Sequence, residues 1–590
     1  DGTMWSPSAP TSTVNAILNG NYNNDSNGDI DACNLTVSAG HTLTIADNSF
    51  TQVQYNILVE GTVTVHTAGS LVQVQNNGLY SHINAGTSSI IKSTAPMNNW
   101  YEYTYWSSPV IWETVEDAFP NTNSNRRFWY NAANYLDSTR EVGNNNQTLP
   151  GQDDIDDNGN DWQIASGIMQ PGWGYAATYS TSAPYPNVVG SAQFVGPFNT
   201  DTINVTVYKN DSEANDNNWN LVGNPYPCAI SADSFLSVNS IVLDENVPVN
   251  PPIGGVSEGA IFLWSQDSPP SNSNNGNEVL NFLQADYAII NLATEVEGGD
   301  RVTPNRFIPS GQSFFISYHH SAPGSGGTIK TNTITFNNSM RVTGNNTQFF
   351  RQSYENTNKL KLNLESDNGV FNQLAVAYLE NASDSYDGMQ YDTPRNLGIG
   401  AFATIYTLID SIDKKFAIQG KNSESLSIEE IIPVGFSTSI EEPTIYTLSI
   451  ADFEGNFISS NTVYLKDNFL NTYHNLSDNH YTFTSEIGEF NDRFEIRFNN
   501  ESLSITNNTI NAVELEIIEL ANGSIKFQVN EALSINRIEF LDLLGRRLYD
   551  ISASSNVEVH FLTQLQQSAF IAKVSLSNGQ TIIKKVFKRK

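Results

Sequence analysis

The stretch that decides the fold runs from Asn34 to Val74 and is NLTVSAGHTLTIADNSFTQVQYNILVEGTVTVHTAGSLVQV. Apolar and polar residues alternate in five short segments, such as Leu43-Thr-Ile45 and Val63-Thr-Val65, and glycine or asparagine separates them. Each segment is too short to bury its apolar face alone, whereas stacked coils would bury a continuous core. We therefore predict a short β-solenoid over residues 1–95, with a small β-sandwich as the alternative.

The remainder of the chain also has a β composition. Its 590 residues suggest about four domains, and 39% hydrophobic with 11% aromatic residues provide enough apolar material for packed cores. Valine, isoleucine, threonine, tyrosine and phenylalanine occur in short runs between glycines and prolines, and long helical patterns are missing. We predict an all-β, multidomain protein and exclude wholesale disorder.

The charge excludes two classes of protein. The chain has 29 Lys and Arg against 62 Asp and Glu, which gives a net charge of −33. Phosphate backbones would repel such a polyanion, so we expect no nucleic-acid partner. Apolar runs stay well short of the roughly 18 residues that a membrane helix needs, so we expect no transmembrane segment.

The first residue and the cysteines bear on the compartment. The chain begins with Asp1, from which we infer an exported protein whose targeting peptide has been removed; trimming for expression is the alternative. Cys33 and Cys228 are distant in sequence and do not make a disulfide framework. We expect two free, buried thiols.

Residues 96–348 form an aromatic-rich block in which one series of sequence motifs occurs twice. Its three aromatic motifs recur in the same order: Trp106–Val110, Phe128–Tyr130 and Pro171–Tyr175, then Gly223–Tyr226, Ile261–Trp264 and Pro309–Phe314. Alternating strands around Ile203–Val207 and Ile334–Phe336 follow the two passes, so we predict a divergent tandem duplication. The stripe Trp100–Trp106 predicts a central strand buried on both faces, with a sugar-stacking platform as the alternative.

Two further β domains complete the chain. Residues 349–502 alternate cleanly, as in Leu360-Lys-Leu-Asn-Leu364 and Tyr446-Thr-Leu-Ser-Ile450, which predicts an antiparallel β-sandwich with one wet face per sheet. Residues 503–590 repeat this pattern at the size of an immunoglobulin-like sandwich.

The last domain carries the most informative motif. A strand from Ile538 leads into Asp542-Leu-Leu-Gly545-Arg546, and a later Asn578-Gly579 pair precedes a basic end. Gly545 fits a turn, and Asn-Gly supplies the positive φ angles that a tight hairpin requires. The pattern predicts a hairpin that feeds a basic edge strand.

This segment resembles the type A C-terminal sorting domain of the Bacteroidetes type IX secretion system. The matching residues are Asp542, Gly545, Arg546, Asn578, Gly579, Lys584 and Lys585, and Lys588, Arg589 and Lys590 extend the basic end. The chain departs from the family at Gln567–Phe570, where the family has glycine and then tyrosine. The resemblance implies that an outer-membrane translocon and a PorV-type shuttle barrel recognise these residues.

The resemblance also implies a location, and we expect a cell-surface or secreted protein. Because the β modules carry no recognisable active site, we expect an adhesin-like or gliding-associated role, with surface glycans as candidate ligands. Five of the 29 basic residues lie in Lys584–Lys590, which suits an electrostatic contact; a solvated tail is the alternative.

We predict no enzymatic activity, because H-E-x-x-H, Walker A and G-x-S-x-G motifs are missing from the sequence. A polysaccharide-active enzyme whose carboxylates lie among the 62 acidic residues is the competing hypothesis, together with a carbohydrate-binding protein. A purely structural component of a surface layer is the third hypothesis.

Two kinds of surface site are candidates. Asp154, Asp156 and Asn158 precede Gly159 at the spacing of a calcium loop, although Ala165 replaces the bidentate glutamate; a polar surface loop is the alternative. Ca²⁺ is therefore the one candidate cofactor. Ser138, Thr202 and Ser411 lie in Asp-Ser/Thr-aliphatic triplets, which resemble O-glycosylation sites of Bacteroidetes, and unmodified hydroxyls are the alternative.

Overall fold

The computed structural model describes residues 4–136, 160–212, 218–242, 253–271, 282–346, 357–395, 403–442, 444–500, 515–520, 522–530, 532–541, 546–563, 569–578 and 581–588. These residues are overwhelmingly β-structure, so the predicted all-β fold is confirmed. They form two compact units, Asp1–Asn500 and Glu501–Lys590.

The predicted solenoid is confirmed at the start of the first unit. Its strands are β1 (Ala16–Leu18), β2 (Tyr22–Asn23), β3 (Ile30–Ala32), β4 (Leu35–Val37), β5 (Thr42–Ile45), β6 (Phe50–Val53), β7 (Ile57–Val59), β8 (Thr62–Val65), β9 (Ser70–Gln73), β10 (Tyr80–His82) and β11 (Thr87–Met97), with a helical turn α1 (Asn24–Asn27). They pair in parallel in three sheets, ordered β1-β4-β7-β10, β2-β5-β8-β11 and β3-β6-β9.

Side chains of the same kind stack from one coil of the solenoid to the next and hold the coils together. Alternation turns Leu35 and Val37 inward, where they lie beside Ile57 and Val59 of the next coil, and all four are buried. Asparagines close the turns, because Asn34 Oδ1 accepts a hydrogen bond from the next coil at 3.0 Å. The regular spacing of aliphatic pairs and asparagines therefore encodes the solenoid.

The aromatic-rich block follows the solenoid. Its strands are β12 (Thr104–Trp106), β13 (Arg127–Tyr130), β14 (Trp162–Ile164), β15 (Tyr175–Ala177), β16 (Val188–Val195), β17 (Ile203–Asn210), β18 (Asn218–Gly223), β19 (Ile230–Ser231), β20 (Ile241–Val242), β21 (Ile253–Gly254), β22 (Ala260–Trp264), β23 (Tyr287–Asn291), β24 (Glu295–Val296), β25 (Phe307–Ile308), β26 (Ser313–Tyr318), β27 (Ser325–Gly326) and β28 (Ile329–Phe336). Two helices, α2 (Val115–Ala118) and α3 (Ala232–Asn239), follow β12 and the short strand β19 respectively.

The two halves of this block share one strand order. The first sheet is ordered β12-β15-β13-β14 and the second β18-β26-β22-β23-β24, so strands at equivalent places in the chain occupy equivalent places in the sheets. An antiparallel pair flanks each half, β11 with β16 and β17 with β28. We expected the segments Ile203–Val207 and Ile334–Phe336 to end two separate halves of the block. They pair with each other instead, and the last solenoid strand, β11, begins the first half.

The aromatic stripe is a strand only at its end. β12 spans Thr104–Trp106, whereas Trp100 lies in a turn and is partly exposed. The Glu102 carboxylate accepts from the Asn98 amide at 3.0 Å and stabilises that turn. Trp106 is buried, and Tyr105 stacks on Trp264 with ring centroids 5.8 Å apart. The predicted central strand is therefore too long, because its first residues form a turn.

A large sheet completes the first unit. Its strands are β29 (Asn358–Ser366), β30 (Phe371–Leu379), β31 (Thr393–Pro394), β32 (Ala403–Thr407), β33 (Phe416–Asn422), β34 (Ile431–Thr438), β35 (Tyr446–Glu454), β36 (Tyr464–Asp467), β37 (Thr472–Asn475), β38 (Tyr481–Phe483) and β39 (Gly488–Arg497), with helix α4 (Asn456–Ser460). The order is β37-β36-β39-β34-β32-β33-β30-β29-β35-β38, and β31 pairs with β33.

Two expectations for this sheet are wrong. The β30–β33 pair is parallel, although the neighbouring pairs are antiparallel. The central strands also have no wet face, because Ala375 and Ala377 of β30 pack against a cluster that includes Phe262 and Ile289 of the aromatic block. This contact makes the block and the sheet one compact unit.

The second unit has seven described strands in two sheets. They are β40 (Glu516–Glu519), β41 (Ile525–Gln528), β42 (Ile535–Leu541), β43 (Arg547–Ser552), β44 (Val557–His560), β45 (Ala569–Leu576) and β46 (Thr581–Phe587). The sheets are ordered β40-β41-β44 and β43-β42-β45-β46. Phe527, Phe540 and Phe570 lie in their shared core. This is a β-sandwich of immunoglobulin-like size.

Candidate functional site

The charge of the protein is unevenly divided between the units. Residues 501–590 contain ten basic and nine acidic residues, whereas residues 1–500 contain 19 basic and 53 acidic residues. The second unit is therefore almost neutral beside a strongly acidic first unit. An acidic partner surface would meet less repulsion at the second unit than at the first.

The sheet register places the predicted signal residues at two ends of one sheet. Phe540 of β42 pairs with Ala572, which pairs with Lys584, and Arg546 directly precedes the β43 residue that pairs with Leu541. Asn578 follows the other end of β45, roughly 20 Å away at about 3.3 Å per residue. Arg546 and Lys584 therefore share one end of the sheet, and the Asn-Gly hairpin does not.

The side chains of the predicted signal residues differ in their exposure to solvent. Arg546, Asn578 and Lys584 are exposed. Lys588 is buried, and its Nζ donates to the Leu562 carbonyl at 3.2 Å, so a partner could reach it only if the strand end opened. The backbone of Lys585 pairs with that of Ile571 in the neighbouring strand. Five predicted residues lie outside the described residues: Asp542, Gly545, Gly579, Arg589 and Lys590.

A group of paired charges on the same sheet was not predicted from the sequence. Glu539 of the central strand lies opposite Asp550 and Lys573. Arg537 contacts Asp550 at 2.6 Å, and Arg547 contacts the same carboxylate at 2.9 Å. Hydrogen bonding from Arg537 lowers the pKa of Asp550. The alternation of Arg537 and Glu539 within β42 is the sequence signal that could have indicated this outer face.

The last strand is an exposed sheet edge. In the described part of the unit, β46 pairs with β45 alone. Ile582 and Val586 pack on the core, and Lys584 falls between them on the same side of the strand. Its Nζ donates to the Leu515 carbonyl at 2.7 Å. An inward lysine on an edge strand is a recognised device against unwanted edge-to-edge pairing.

We predict that Lys584→Val increases self-association of the full chain. The substitution removes the inward charge and leaves a continuous apolar edge, which favours strand pairing between copies. Sedimentation velocity over a range of concentrations would detect the change. Lys526→Val, on the outer face of a central strand, removes the same charge and should leave self-association as in the parent protein. Equal behaviour of the two variants would contradict the prediction.

The other predicted sites have mixed outcomes. Asp154, Asp156 and Asn158 of the calcium loop, and Ser138, lie outside the described residues. Thr202 and Ser411 are exposed in turns, beside or at residues with φ angles of 64° and 66°. Among the described residues, no group of three or more His, Cys, Asp and Glu is arranged to hold a metal ion.

The two cysteines are free, as predicted, but the expected burial is wrong for Cys33. Cys33 is partly exposed, whereas Cys228 is fully buried and accepts a hydrogen bond from Arg341 Nε at 3.3 Å. Burial raises the pKa of the Cys228 thiol.

A buried carboxyl group in the aromatic block gave no sequence signal. Asp286 is 1% exposed, and its Oδ1 has no hydrogen-bond partner among the described residues. Its Oδ2 accepts from the Ser268 amide at 3.2 Å. Burial, with a smaller contribution from Asp267, raises the pKa of Asp286 to about 7. The folded state therefore favours the protonated form.

We predict that Asp286→Asn stabilises the protein at pH 8 by about 1–3 kcal/mol and has little effect at pH 4. A carboxyl group whose pKa is higher in the folded state than in the unfolded state does not lower the free energy of unfolding at a pH below the unfolded-state pKa. The cost grows as the pH rises from the unfolded pKa to the folded pKa of about 7, and it is fully present above that value. Urea denaturation at both pH values measures the difference. A gain of the same size at pH 4 would contradict the proposed cause.

Comparison with known proteins places the first unit in a family. A family model described as Domain of unknown function (DUF8693) matches residues 1–498, and the chain belongs to that family. The match ends where the first compact unit ends, so the second unit lies outside the matched residues. A search of curated proteins found no match. No helix in the described part of the chain is long and apolar enough to cross a membrane.

Proposed function

We propose that this family member is an exported β-protein that type IX secretion delivers to the cell surface or the medium, with residues 501–590 as its export signal. The main support for the proposal is that residues 501–590 are distinct from the rest of the chain in three respects. The second unit is compact on its own, almost neutral, and outside the residues that define the family. A separate compact unit with a different charge suits a part that is recognised for transport.

The recognition surface that we propose is one end of the four-stranded sheet. Arg546 and Lys584 are exposed there, and no other described strand pairs with the free edge of β46. A translocon or PorV-type shuttle barrel with an acidic surface would attract the two cations, and an extended segment of it could pair with the edge. Lys584 would then limit pairing to a partner that accommodates its charge.

For the first unit we propose an adhesin-like or gliding-associated role at the cell surface. The solenoid and the aromatic block share a hydrophobic core, and the block shares another with the large sheet. Such continuous packing makes a β-scaffold that is suited to presenting surfaces outside the cell, where it would meet glycans.

Charge reversal at the proposed surface tests the export signal. In a bacterium with type IX secretion, we expect Arg546→Glu with Lys584→Glu to reduce the released protein several-fold and to increase the periplasmic pool. The matched control is Lys526→Glu with Lys573→Glu, which reverses two basic charges of the same unit outside the motif. Thermal melting of both purified variants checks that folding is intact. Equal release of the two double variants would refute the proposed surface.

A further inference from the structure

A lysine and an asparagine meet inside the first unit, where the solenoid adjoins the aromatic block. Lys92 of β11 is 3% exposed and Asn346 is 1% exposed. Lys92 Nζ lies 3.0 Å from the backbone carbonyl oxygen of Asn346 and 3.4 Å from its carboxamide oxygen, Oδ1. The same nitrogen donates to the Thr67 carbonyl at 2.5 Å. An amine and an amide carbonyl are therefore held next to each other in a place that is closed to solvent.

Burial favours the neutral amine of Lys92. It removes the ammonium from water and lowers the pKa of Lys92 to about 7, although the negative charge of Asp47 acts in the opposite direction. Asp47 itself is exposed, and its carboxylate accepts from the Ala68 amide at 2.7 Å. Near pH 7 a large fraction of Lys92 is therefore the free amine, which is the nucleophilic form.

Hydrogen bonds hold the Asn346 carboxamide at both ends. Its Oδ1 accepts from the Ser310 amide at 2.7 Å, and its Nδ2 donates to the Gly69 carbonyl. The Ser310 N–H withdraws electron density from Cγ and faces the oxygen on which negative charge would develop if an amine attacked. A preorganised backbone donor at that position is the means by which acyl-transfer intermediates are stabilised in enzymes. Burial of the two side chains also excludes competing water.

We propose that Lys92 and Asn346 join in an amide cross-link. The Nζ lone pair attacks Cγ, and the π electrons of the carbonyl move to Oδ1, where the Ser310 amide stabilises the charge. The tetrahedral intermediate then expels Nδ2, which takes one proton from Nζ and leaves as ammonia. One C–N bond forms and one breaks, so the reaction consumes no oxidant, reductant or cofactor. The flexible lysine stem lets Nζ swing from its hydrogen-bonding position to Cγ, and the short separation replaces a bimolecular encounter.

The cross-link would close a covalent ring of the chain from residue 92 to residue 346. Lys92 lies on the last strand of the solenoid, and Asn346 follows β28, the last strand of the aromatic block. A bond between them ties the beginning of the block to its end, so the block would resist extension by a pulling force. This property suits the proposed role at the cell surface, but the bond itself depends neither on that role nor on the export signal.

Mass spectrometry of the purified full chain tests the proposal. The intact mass should be lower than the sequence mass by one ammonia. Trypsin digestion of the denatured protein should leave the bond after Lys92 uncut, so that residues 1–126 stay together and carry the peptide that contains Asn346. Absence of this branched peptide would overturn the proposal, whatever the intact mass. Because the assay uses purified protein, its failure is distinguishable from a failure of export.

Variants locate the bond. Lys92→Met and Asn346→Ala should each have the full sequence mass, because each removes one partner. Lys209→Met is the matched control, since Lys209 is also buried and its Nζ also donates to backbone carbonyls, those of His320 and Ala322. This control should keep the ammonia deficit. A deficit that persists in Lys92→Met would contradict the assigned pair, and the peptide map of the parent protein decides the question if a variant does not fold.

Discussion

Glu295→Ala is expected to destabilise the first unit by about 3–5 kcal/mol, because it leaves two buried cations without their shared anion. Glu295 Oε2 contacts Arg306 at 3.1 Å, and Oε1 contacts Lys361 at 2.7 Å. All three side chains are nearly buried. Arg306 also pairs with Asp233, so the network joins a helix of the aromatic block to a strand of the large sheet.

The pH dependence of this effect follows from the charges. Burial raises the pKa of Glu295, but Lys361, Lys359 and Arg306 outweigh burial and hold it at about 2. A carboxylate with a depressed pKa contributes stability above its unfolded pKa and loses it as the pH falls through the folded value. The difference between Glu295→Ala and the parent should therefore shrink between pH 4.5 and pH 2.

Chemical denaturation of the two proteins measures this effect. Glu365→Ala is the matched control, since Glu365 pairs with Arg301 at a similar 2.9 Å but both side chains are substantially exposed. Exposed pairs contribute about 0–1 kcal/mol, so the control should unfold almost like the parent. Equal destabilisation by the two substitutions would contradict the role assigned to the buried network.

The sequence predicted those parts of the fold that depend on local patterns. Alternating pairs such as Leu43 and Ile45 indicated the solenoid strands, because a two-residue period is the direct mark of a strand with one buried face. The order of the aromatic motifs is the basis on which we predict a duplication within the block. It did not indicate that β17 pairs with β28, since spacing along the chain does not specify pairing between distant strands.

The errors have identifiable causes. The run Leu374–Tyr378 is apolar throughout, which is the mark of a strand buried on both faces, yet we expected a wet face from the alternation of its neighbours. The burial of Lys588 also had a signal, because alternation from Ile582 and Val586 places Lys588 on the core side of β46. The basic residues alone suggested an accessible end that makes an electrostatic contact.

The largest expected effect on localisation concerns the second unit. Removing residues 501–590 should abolish release of the first unit and leave it in the periplasm, because the proposed recognition surface is lost while the cores of the first unit are untouched. Fractionation of cells and medium, followed by immunodetection, measures the change. The first unit should melt at the same temperature in both forms.

The most direct measurement moves the signal instead of removing it. Residues 501–590 are fused to a periplasmic reporter behind a signal peptide, in a bacterium with type IX secretion and in a derivative lacking the translocon. The account predicts that the reporter appears outside the first strain and stays in the periplasm of the second. A reporter that stays in the periplasm of both strains, or leaves both equally, would contradict it.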